Sequence, residues 1–263
     1  MKTECPVWAP PLLAVQFLTC VPVPAVSQLS EEAVRVGLGR AVAWFPLIGS
    51  LVGAVTAGTM LLASELWSPL IAVILALIVE ARLTGAFHED AVADFCDGVG
   101  GGRDPARVRE IMKDSRIGSY GVLGLTLALA LRAALMYSLI AGGVNVIAAT
   151  FAIIAASTFG RLLAVLVMFV TPPVPSTRSL ANDVATGVRA RDVMLAPIVA
   201  LPGLLPFALG APLKLMAVAA AAAVFLIWFR ALLMRRVGGA TGDCLGFAAY
   251  VGQLLLLLAA TAA

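Results

Sequence analysis

The sequence predicts an all-α protein, a polytopic integral membrane bundle of about seven transmembrane helices, with its functional loops on the cytoplasmic side. Two observations predict this class. Of the 263 residues, 61% are hydrophobic and 13% are charged, whereas a soluble domain has about 45–50% apolar and about 25% charged residues. The apolar residues also occur in stretches close to the ~20 residues that a transmembrane helix needs. A chain with so little polar surface is not a soluble enzyme, a disordered chain, a secreted disulfide scaffold or a free nucleic-acid-binding protein.

The predicted spans follow from those apolar stretches. They are residues 41–63, 66–80, 121–141, 145–171, 194–211, 215–229 and 245–262. Residues 11–26 are also apolar, but prolines interrupt them, so we expect a surface or re-entrant segment there rather than another crossing. No repeat and no linker separates a second unit, and residues 1–263 are therefore predicted to form a single integral membrane domain.

The Lys and Arg residues indicate how the helices are oriented. Most of them lie in loops that the spans put on one side of the membrane, which are residues 1–40, 81–119, 172–193 and 230–244. Arg132 and Arg161 lie inside spans, and Lys214 lies in a turn on the other side. Cationic loops tend to stay in the cytoplasm. The amino end is therefore predicted to be cytoplasmic and the carboxyl end external, with any site on the cytoplasmic side.

The most informative stretch is an acidic segment that follows the second span. Within ten residues it contains His88, Glu89, Asp90, Asp94 and Asp97. We expect Thr84–Asp97 to continue the helix of that span. At about 100° per residue, Asp94 then lies about 40° and Asp97 about 20° from Asp90. Three carboxylates would share one face, with Glu89 to one side and His88 roughly opposite.

Three carboxylates a turn apart repel each other by several kcal/mol at an effective dielectric constant of about 20. Protonation of one carboxyl, neighbouring arginines or a bound divalent cation can each offset that repulsion. All-oxygen ligands favour magnesium, manganese or calcium over zinc. The alternative is a solvated acidic helix end, but acidic side chains beside hydrocarbon are usually functional.

A glycine run, Gly98–Gly102, comes directly after this acidic face. We expect it to end the helix and to turn backbone N–H groups towards an anion. It is not a Walker A loop, because the Gly-Lys-Ser/Thr ending is absent. Beside the acids it suggests a diphosphate held through a metal ion.

Pro105–Asp114 is then typical of a short amphipathic helix. Lys113 and Arg116 can hold phosphate oxygens, although cytoplasmic loops are basic in any case.

Two other features bring charge to the same side. Within Arg235–Gly246, Asp243 either caps the next helix or approaches the acidic face from another helix, and the sequence leaves both open. Arg161 lies inside a span, where a charge is costly unless it is paired, binds an anion or reaches the interface. The proline-rich segment Thr171–Asp192 is predicted to be an extended cover over the site.

Several motifs together identify a family. The specific ones are HEDAVADFCDGVGGGRD at residues 88–104 and EIMKDSRIGSYG at residues 110–121. FLTCVPVP at 17–24, WFPLIGSLVGA at 44–54 and GGATGDCLG at 238–246 support them. This set, which spans nearly the whole chain, resembles the cobalamin synthase family, the adenosylcobinamide-GDP ribazoletransferases.

The resemblance implies a magnesium-dependent enzyme of the bacterial inner membrane. Such an enzyme transfers adenosylcobinamide phosphate from adenosylcobinamide-GDP to α-ribazole, or to α-ribazole 5′-phosphate, and releases GMP. Its partners would be these small molecules and the lipid bilayer, with no nucleic acid. A homo-oligomer and an assembly with other enzymes of the pathway are both compatible with the resemblance.

The resemblance also implies roles for individual residues. The metal-binding set would be Glu89, Asp90, Asp94, Asp97 and Asp243. Of these, Asp90 and Asp94 would also be catalytic, and His88 would act as a general base or orient the attacking hydroxyl. The residues implied to bind the substrate and its phosphates are Arg103, Lys113, Arg116 and Arg161.

The chain departs from the family pattern at four positions. Glycine is common in the family where Ala86 and Ala91 stand, and glutamates are common where Tyr250 and Gln253 stand. If those glutamates bind a second metal ion or act as the base, that role is moved or missing in this chain.

Two other functions fit parts of the pattern. A CDP-alcohol phosphotransferase also has several aspartates at a cytoplasmic helix end. Its pattern begins with Asp-Gly and ends with two aspartates four apart, whereas Asp97-Gly98 here follows the acidic pair. A transporter for a cation or a corrinoid would use the carboxylates as a coupling site, but usually near the bilayer midplane. The carboxylates here lie at the predicted cytoplasmic edge.

Overall fold

The computed structural model describes residues 5–142, 145–174 and 190–262, and these ranges are mainly helical. The helices are α1 (Ala9–Leu18), α2 (Glu31–Ala41), α3 (Phe45–Ser64), α4 (Pro69–Thr84), α5 (Phe87–Gly101), α6 (Pro105–Met112), α7 (Ser119–Ala141), α8 (Val146–Val170), α9 (Ala190–Gly210), α10 (Pro212–Arg236) and α11 (Gly242–Thr261). Short 3-10 turns, Pro24–Gln28 and Val42–Trp44, precede α2 and α3. The predicted all-α class is confirmed.

The number of helices that can span a membrane agrees with the prediction. Among the described residues, 6 helices are long and apolar enough to cross, or up to 7 if the bent pair α4 and α5 counts as one span. The first continues from α2 into α3, Glu31–Ser64, and so begins earlier than the predicted span. In the apolar segment 11–26 the structure has the end of α1, a helix of 10 residues. At about 1.5 Å per residue, α1 is too short to cross.

Helix α8 lies at the centre of the bundle, packed against α3, α9 and α11. Of its apolar stretch 78% is buried, against 17% for α10, so α10 lies at the periphery, where its side chains contact lipid in a membrane. Small residues let the central helices approach closely. Gly53 of α3 lies against α8 at Ile154 and Ser157. A methyl group on Gly252 of α11 would lie 2.8 Å from the Cα of Gly160, so α8 and α11 touch at these two glycines.

The predicted continuous helix Thr84–Asp97 is wrong, because the chain bends by 88° between α4 and α5. Gly85 and Ala86 make the bend, with left-handed φ angles of 68° and 55°. Glycine adopts this conformation freely, whereas other residues do so at a cost of about 1–2 kcal/mol. The bend lets α5 leave the direction of α4 and pack against α6, α7 and α11.

The glycine run does not form the expected anion-binding loop. Helix α5 continues to Gly101, and the N–H of Gly102 still bonds to the carbonyl of Gly98 at 2.9 Å. These glycines instead allow neighbouring helices to approach. A Cβ on Gly98 would lie 2.5 Å from the Cγ of Met112 in α6, and Gly100 has no room for a Cβ beside the ring of Tyr120 in α7. Because their N–H groups stay in the helix, they are not available to a phosphate.

The short amphipathic helix after the glycine run is confirmed as α6. Its first turn is capped by Asp104, whose Oδ1 accepts hydrogen bonds from the N–H groups of Ala106 and Arg107, each at 3.0 Å. Val108 and Met112 are its buried residues. Most of the predicted cover Thr171–Asp192 lies outside the described residues.

Candidate active site

Three carboxylates from two helices form the acidic cluster, which we define as Asp90, Asp94 and Asp243. Asp94 of α5 experiences the repulsive charges of Asp90, one turn away, and of Asp243 in the first turn of α11. Asp243 in turn experiences the charge of Asp90. Asp90 is exposed, and the other two are partly exposed. In the described part of the chain none of the three forms an ion pair. The cluster therefore carries a negative charge for which the described residues supply no directly bonded cation.

Asp243 faces α5 because another residue caps its helix. The Oγ1 of Thr241 accepts a hydrogen bond from the N–H of Cys244 at 3.4 Å and acts as the N-cap of α11. Gly246 lies directly on Ala91 of α5, with no room for a Cβ between them. Of the two alternatives for Asp243, this packing favours the one in which it approaches the acidic face from another helix.

Two arginines fix the backbone around the acidic cluster. The Nη2 of Arg236 donates to the carbonyl oxygens of Val99 and Gly102, both at 2.8 Å, at the carboxyl end of α5. A cation there complements the negative end of the helix dipole. Arg109 of α6 donates to the carbonyl of Val237 at 2.5 Å. These bonds join α5 and α6 to the loop that precedes α11, so the elements that carry the cluster are held together.

Asp97 lies on the same helix but has a different environment from Asp90 and Asp94. Its Oδ2 accepts a hydrogen bond from the N–H of Gly118 at 2.6 Å, and its Oδ1 accepts one from the N–H of Gly121 at 2.8 Å. These N–H groups are at the start of α7, where a helix leaves its first donors unpaired. Neither glycine has room for a Cβ beside the carboxylate. Both oxygens of Asp97 are thus engaged in capping α7.

Glu89 points into the bundle and belongs to a second group of charges, which we call the buried ion network. The Nη2 of Arg132 (α7) lies 2.6 Å from the Oε2 of Glu80 (α4), and its Nη1 lies 3.6 Å from the Oε1 of Glu89. Thr56 of α3 donates to the same Oε2 of Glu80 at 2.7 Å. The ring of Tyr250 lies 5.5 Å from the guanidinium of Arg132. The network thus links α3, α4, α5, α7 and α11 inside the bundle.

The predicted phosphate-binding cations of the loop region lie at the edge of the site. Arg103, Lys113 and Arg116 are all exposed. The positive charge of Lys113 acts on Asp243, so that Lys113 is placed towards the acidic cluster. Arg116 forms a local ion pair with Asp114, with Nη2 and Oδ2 2.7 Å apart. A hydrogen bond from Arg116 lowers the pKa of Asp114 to about 2.

His88 and Arg161 are both almost fully buried and line the same pocket between helices. The imidazole of His88 packs edge-on against the ring of Phe87. The Nη1 of Arg161 donates to the backbone oxygen of Ser157 at 3.3 Å and to its hydroxyl at 2.8 Å. The Nε and Nη2 of Arg161 have no hydrogen-bond partner in the described structure. Arg161 therefore does not reach the membrane interface, and part of its hydrogen-bonding capacity is unused.

The donor chemistry of the acidic cluster fits a hard divalent cation. Within residues 5–142, 145–174 and 190–262, no three Asp, Glu, His or Cys side chains are arranged to hold a metal ion by themselves. Magnesium does not require such a cage, because it commonly binds one or two carboxylates together with substrate phosphates. The carboxylates of Asp90 and Asp94 have no ion-pair partner among the described residues, and their chemistry suits a partial site of that kind.

Comparison with known proteins agrees with this arrangement. The family model described as cobalamin-5-phosphate synthase matches residues 10–261. The chain belongs to this family. Its relatives include adenosylcobinamide-GDP ribazoletransferases from Vibrio cholerae, 38% identical over 94% of this chain and 91% of the relative, and from Ralstonia nicotianae, 38% identical over 93% and 92%. Another, from Bradyrhizobium diazoefficiens, is 36% identical over 95% and 92%. No solved structure matches the chain.

In this member of the cobalamin-5-phosphate synthase family, the two positions where glutamates were expected lie in the bundle interior. Tyr250 and Gln253 are each 1% exposed. The hydroxyl of Tyr250 and both amide atoms of Gln253 have no partner in the described structure. Both residues follow Asp243 on α11, and Tyr250 extends the buried ion network.

Sequence reasoning missed the buried ion network. Glu80 and Arg132 both interrupt apolar stretches, and this was the signal that could have found them, since charges in spans are rarely unpaired. Their partnership was not readable, because 52 residues separate them. The family resemblance implies a metal-binding role for Glu89, whereas the structure gives it Arg132 as its neighbour.

Proposed function

We propose that this protein transfers adenosylcobinamide phosphate from adenosylcobinamide-GDP to α-ribazole or α-ribazole 5′-phosphate and releases GMP. The observation that carries the proposal is the acidic cluster, in a chain whose relatives are named for this transfer. A site for a diphosphate ester needs positive charge between its phosphates and the protein's carboxylates. Within residues 5–142, 145–174 and 190–262 the carboxylates of the cluster have no ion-pair partner, so that a cation can occupy that position.

The reaction is a displacement at phosphorus. The ribose hydroxyl of α-ribazole forms a bond to the phosphorus nearer the cobinamide, and the bond from that phosphorus to the bridging oxygen of GMP breaks. The proton of the hydroxyl passes to a base, for which we propose His88, and GMP leaves with the bridging oxygen. The protein's part is to position the two substrates and to compensate the charge on the phosphate oxygens.

We propose magnesium as the cofactor of this transfer. Asp90, which is exposed, and Asp94, which is partly exposed, are the ligands best supported, because neither forms an ion pair with another described residue. Asp243 completes the set from α11. Glu89 and Asp97 remain candidates, although Arg132 and two backbone N–H groups already engage them. When bound, the ion neutralises charge on the diphosphate oxygens.

Lys113 is the cation best placed for the GDP phosphates, because its charge already acts on Asp243. Arg103 is exposed at the end of α5 and can add a second contact. Arg116 would have to exchange Asp114 for a phosphate, since the two now form an ion pair. We therefore propose a ranking of Lys113 before Arg103 and Arg103 before Arg116.

We propose that the acidic cluster faces the cytoplasm from the inner membrane of a bacterial cell. The supporting observation is that the described basic residues of α6 and of the end of α10 lie at the same end of the bundle as the cluster. Lys214 is at the other end, where its Nζ donates to the carbonyl of Ala262 at 2.7 Å near the carboxyl end of the chain. Basic ends tend to stay in the cytoplasm.

The test is reconstitution of the purified protein in liposomes with adenosylcobinamide-GDP and α-ribazole. We expect equal amounts of GMP and corrinoid product, loss of both on adding EDTA, and recovery with excess magnesium. Turnover of a CDP-activated alcohol in place of the GDP substrate would overturn the proposal in favour of a phospholipid-type phosphotransferase. Accumulation of corrinoid inside the vesicles without GMP release would overturn it in favour of a transporter.

A further inference from the structure

A narrow pocket next to the acidic cluster is walled by aromatic rings. It opens between α1, α3, α5, α8 and α11. The ring of Phe17 stacks on Phe45 with centroids 5.5 Å apart, and it meets Phe87 edge-on at 5.8 Å. The rest of the lining is apolar except for His88 and Arg161. The pocket thus combines a flat hydrophobic wall with two hydrogen-bonding side chains.

Arg161, which lines this pocket, has hydrogen-bonding capacity that the described protein leaves unused. The residue is 1% exposed, and its Nε and Nη2 are buried without a partner. A buried donor left unpaired costs about 1–3 kcal/mol, and most such groups in native proteins do find a partner. The described protein atoms supply none, which leaves a ligand with a hydrogen-bond acceptor as the natural partner.

We propose that this pocket binds the aromatic base of the nucleoside substrate, α-ribazole, with its free ring nitrogen accepting a hydrogen bond from Arg161. The inference rests on the proposed function, since it assigns a place to one of its substrates. The base is a planar, uncharged, largely apolar bicycle, which suits stacked and edge-on contacts with phenylalanine rings. Its single ring nitrogen with a free lone pair matches the small number of polar groups in the lining.

The other parts of the substrates suit this pocket less well. A phosphate brings several charged oxygens into an apolar lining, where Arg161 and His88 cannot satisfy them all. Guanine carries several donors and acceptors around its edge, and a pocket without matching groups would leave them unpaired. Apart from Arg161 and His88, no described side chain in the lining is polar.

The pocket is also correctly placed for the reaction. Its lining includes His88, two residues before Asp90, and Gly242, directly before Asp243. A base held there places its attached ribose towards the acidic cluster, where the hydroxyl attacks. Arg161 then selects the acceptor substrate, and the phosphates remain the task of the basic residues around α6.

The first experiment narrows the pocket and measures both substrates. Ala164 lines it on α8, and Ala164→Leu fills part of its space. We expect the KM for α-ribazole to rise by about tenfold or more, while the KM for adenosylcobinamide-GDP stays within about twofold. The matched control is Ala220→Leu, the same change at an exposed position of α10, for which we expect wild-type values of both constants. A rise confined to adenosylcobinamide-GDP would place guanine or the corrinoid in the pocket and overturn the inference.

The second experiment keeps the inference testable without turnover and protects against misfolding. Binding of radiolabelled α-ribazole to the purified protein is measured by equilibrium dialysis in EDTA, for the wild type, Ala164→Leu and Phe17→Leu. Phe17→Leu removes a ring without adding volume, and circular dichroism verifies the helix content of each variant. We expect saturable binding to the wild type and about tenfold weaker binding to both variants.

The two proposals fail in different ways. Equal affinity for α-ribazole in all three proteins would overturn the pocket assignment. If the wild type still turned over both substrates, the proposed transferase function would stand. Weaker binding of α-ribazole by both variants would support the pocket assignment. If the wild type then released no GMP, the proposed reaction would be overturned while the pocket assignment stood.

Discussion

The two faces of α5 both carry carboxylates, but the carboxylates differ in whether a cationic side chain pairs with them. On the outer face, Asp90 and Asp94 lie near Asp243 and form no ion pair within the described ranges. On the inner face, Glu89 lies 3.6 Å from Arg132, which also pairs with Glu80 at 2.6 Å. Among the described residues the outer charges have no cationic partner, whereas the inner charges pair with one another.

This difference predicts that the two faces contribute to different properties, the outer face to ligand binding and the inner face to the stability of the fold. A carboxylate in a buried pair has lost its hydration and depends on its partner, so removing that partner is costly. The carboxylates of the acidic cluster are exposed or partly exposed and keep part of their hydration. Their mutual repulsion decreases when a cation binds. Mutations on the outer face should therefore affect turnover, and mutations on the inner face should affect folding.

The largest expected effect is on the outer face. Asp90→Asn removes one charge from the acidic cluster while keeping its shape, and we expect turnover to fall by about 1,000-fold, since metal-assisted charge compensation is worth several kcal/mol. The measurement is initial GMP release in liposomes, with thermal unfolding in detergent to show an unchanged fold.

The matched control for Asp90→Asn is Glu110→Gln, the same loss of one charge at an exposed position of α6, where Glu110 pairs with Arg107. We expect turnover by Glu110→Gln close to that of the wild type. Activity of Asp90→Asn within a few-fold of the wild type would contradict the division between the two faces.

The next effect is on the inner face. Arg132→Met removes the arginine that pairs with the buried Glu80 and the half-buried Glu89. We expect the free energy of unfolding to decrease by about 3–5 kcal/mol. The readout is the midpoint of denaturant unfolding in detergent. Adding Glu80→Gln to the same chain should restore part of the loss, because it removes one of the two uncompensated charges. A variant Arg132→Met as stable as the wild type would show that the network contributes nothing to folding.

Asp97 is the carboxylate of α5 for which a structural role and a metal-binding role can be distinguished by experiment. Because both of its oxygens cap α7, we expect Asp97→Asn to lower the stability by about 1–2 kcal/mol and to reduce turnover far less than Asp90→Asn. Thermal unfolding measures the stability of the variant, and the GMP assay measures the magnesium dependence of its turnover. An unchanged unfolding temperature together with a loss of activity equal to that of Asp90→Asn would make Asp97 a metal ligand instead.

The smallest effect is at the bend that creates both faces. Ala86 has a φ of 55°, and Ala86→Gly removes the strain of a left-handed alanine. We expect a gain in stability of up to about 1 kcal/mol, reduced by the greater freedom of glycine in the unfolded chain. Thermal unfolding measures it, with Ala220→Gly as a control that should destabilise an ordinary helix position. A decrease for Ala86→Gly equal to that of the control would mean that the bend stores no strain.

Much of this architecture was predictable because it depends on local signals. Apolar length alone predicted about seven crossings, and the proline and amphipathic spacing after the glycine run predicted α6. The helical period put Asp90 and Asp94 on one face and His88 on another, and this spacing holds on α5 even though the helix begins later than expected. The motif resemblance predicted the family, which the comparisons confirm.

Other features depended on which distant residues meet. The sequence put an acidic residue at Asp97 and glycines after it, but only packing against α6 and α7 made Asp97 a cap and kept the glycines helical. The partner of Glu89 was equally hidden, because Arg132 is on another helix and charge alone does not choose between a metal ion and an arginine.

The sequence by itself determined that this is a membrane protein, about how many of its helices are long and apolar enough to cross, and that carboxylates collect at one end of the bundle. These properties depend on hydrophobicity and helical period, which act within a single segment. The tertiary structure alone decided which carboxylates have an ion-pair partner among the described residues and that Arg161 lines an aromatic pocket. Pairing and burial depend on the separation of side chains from different helices, and that separation is set only when the bend at Gly85 and Ala86 brings α5 against α11.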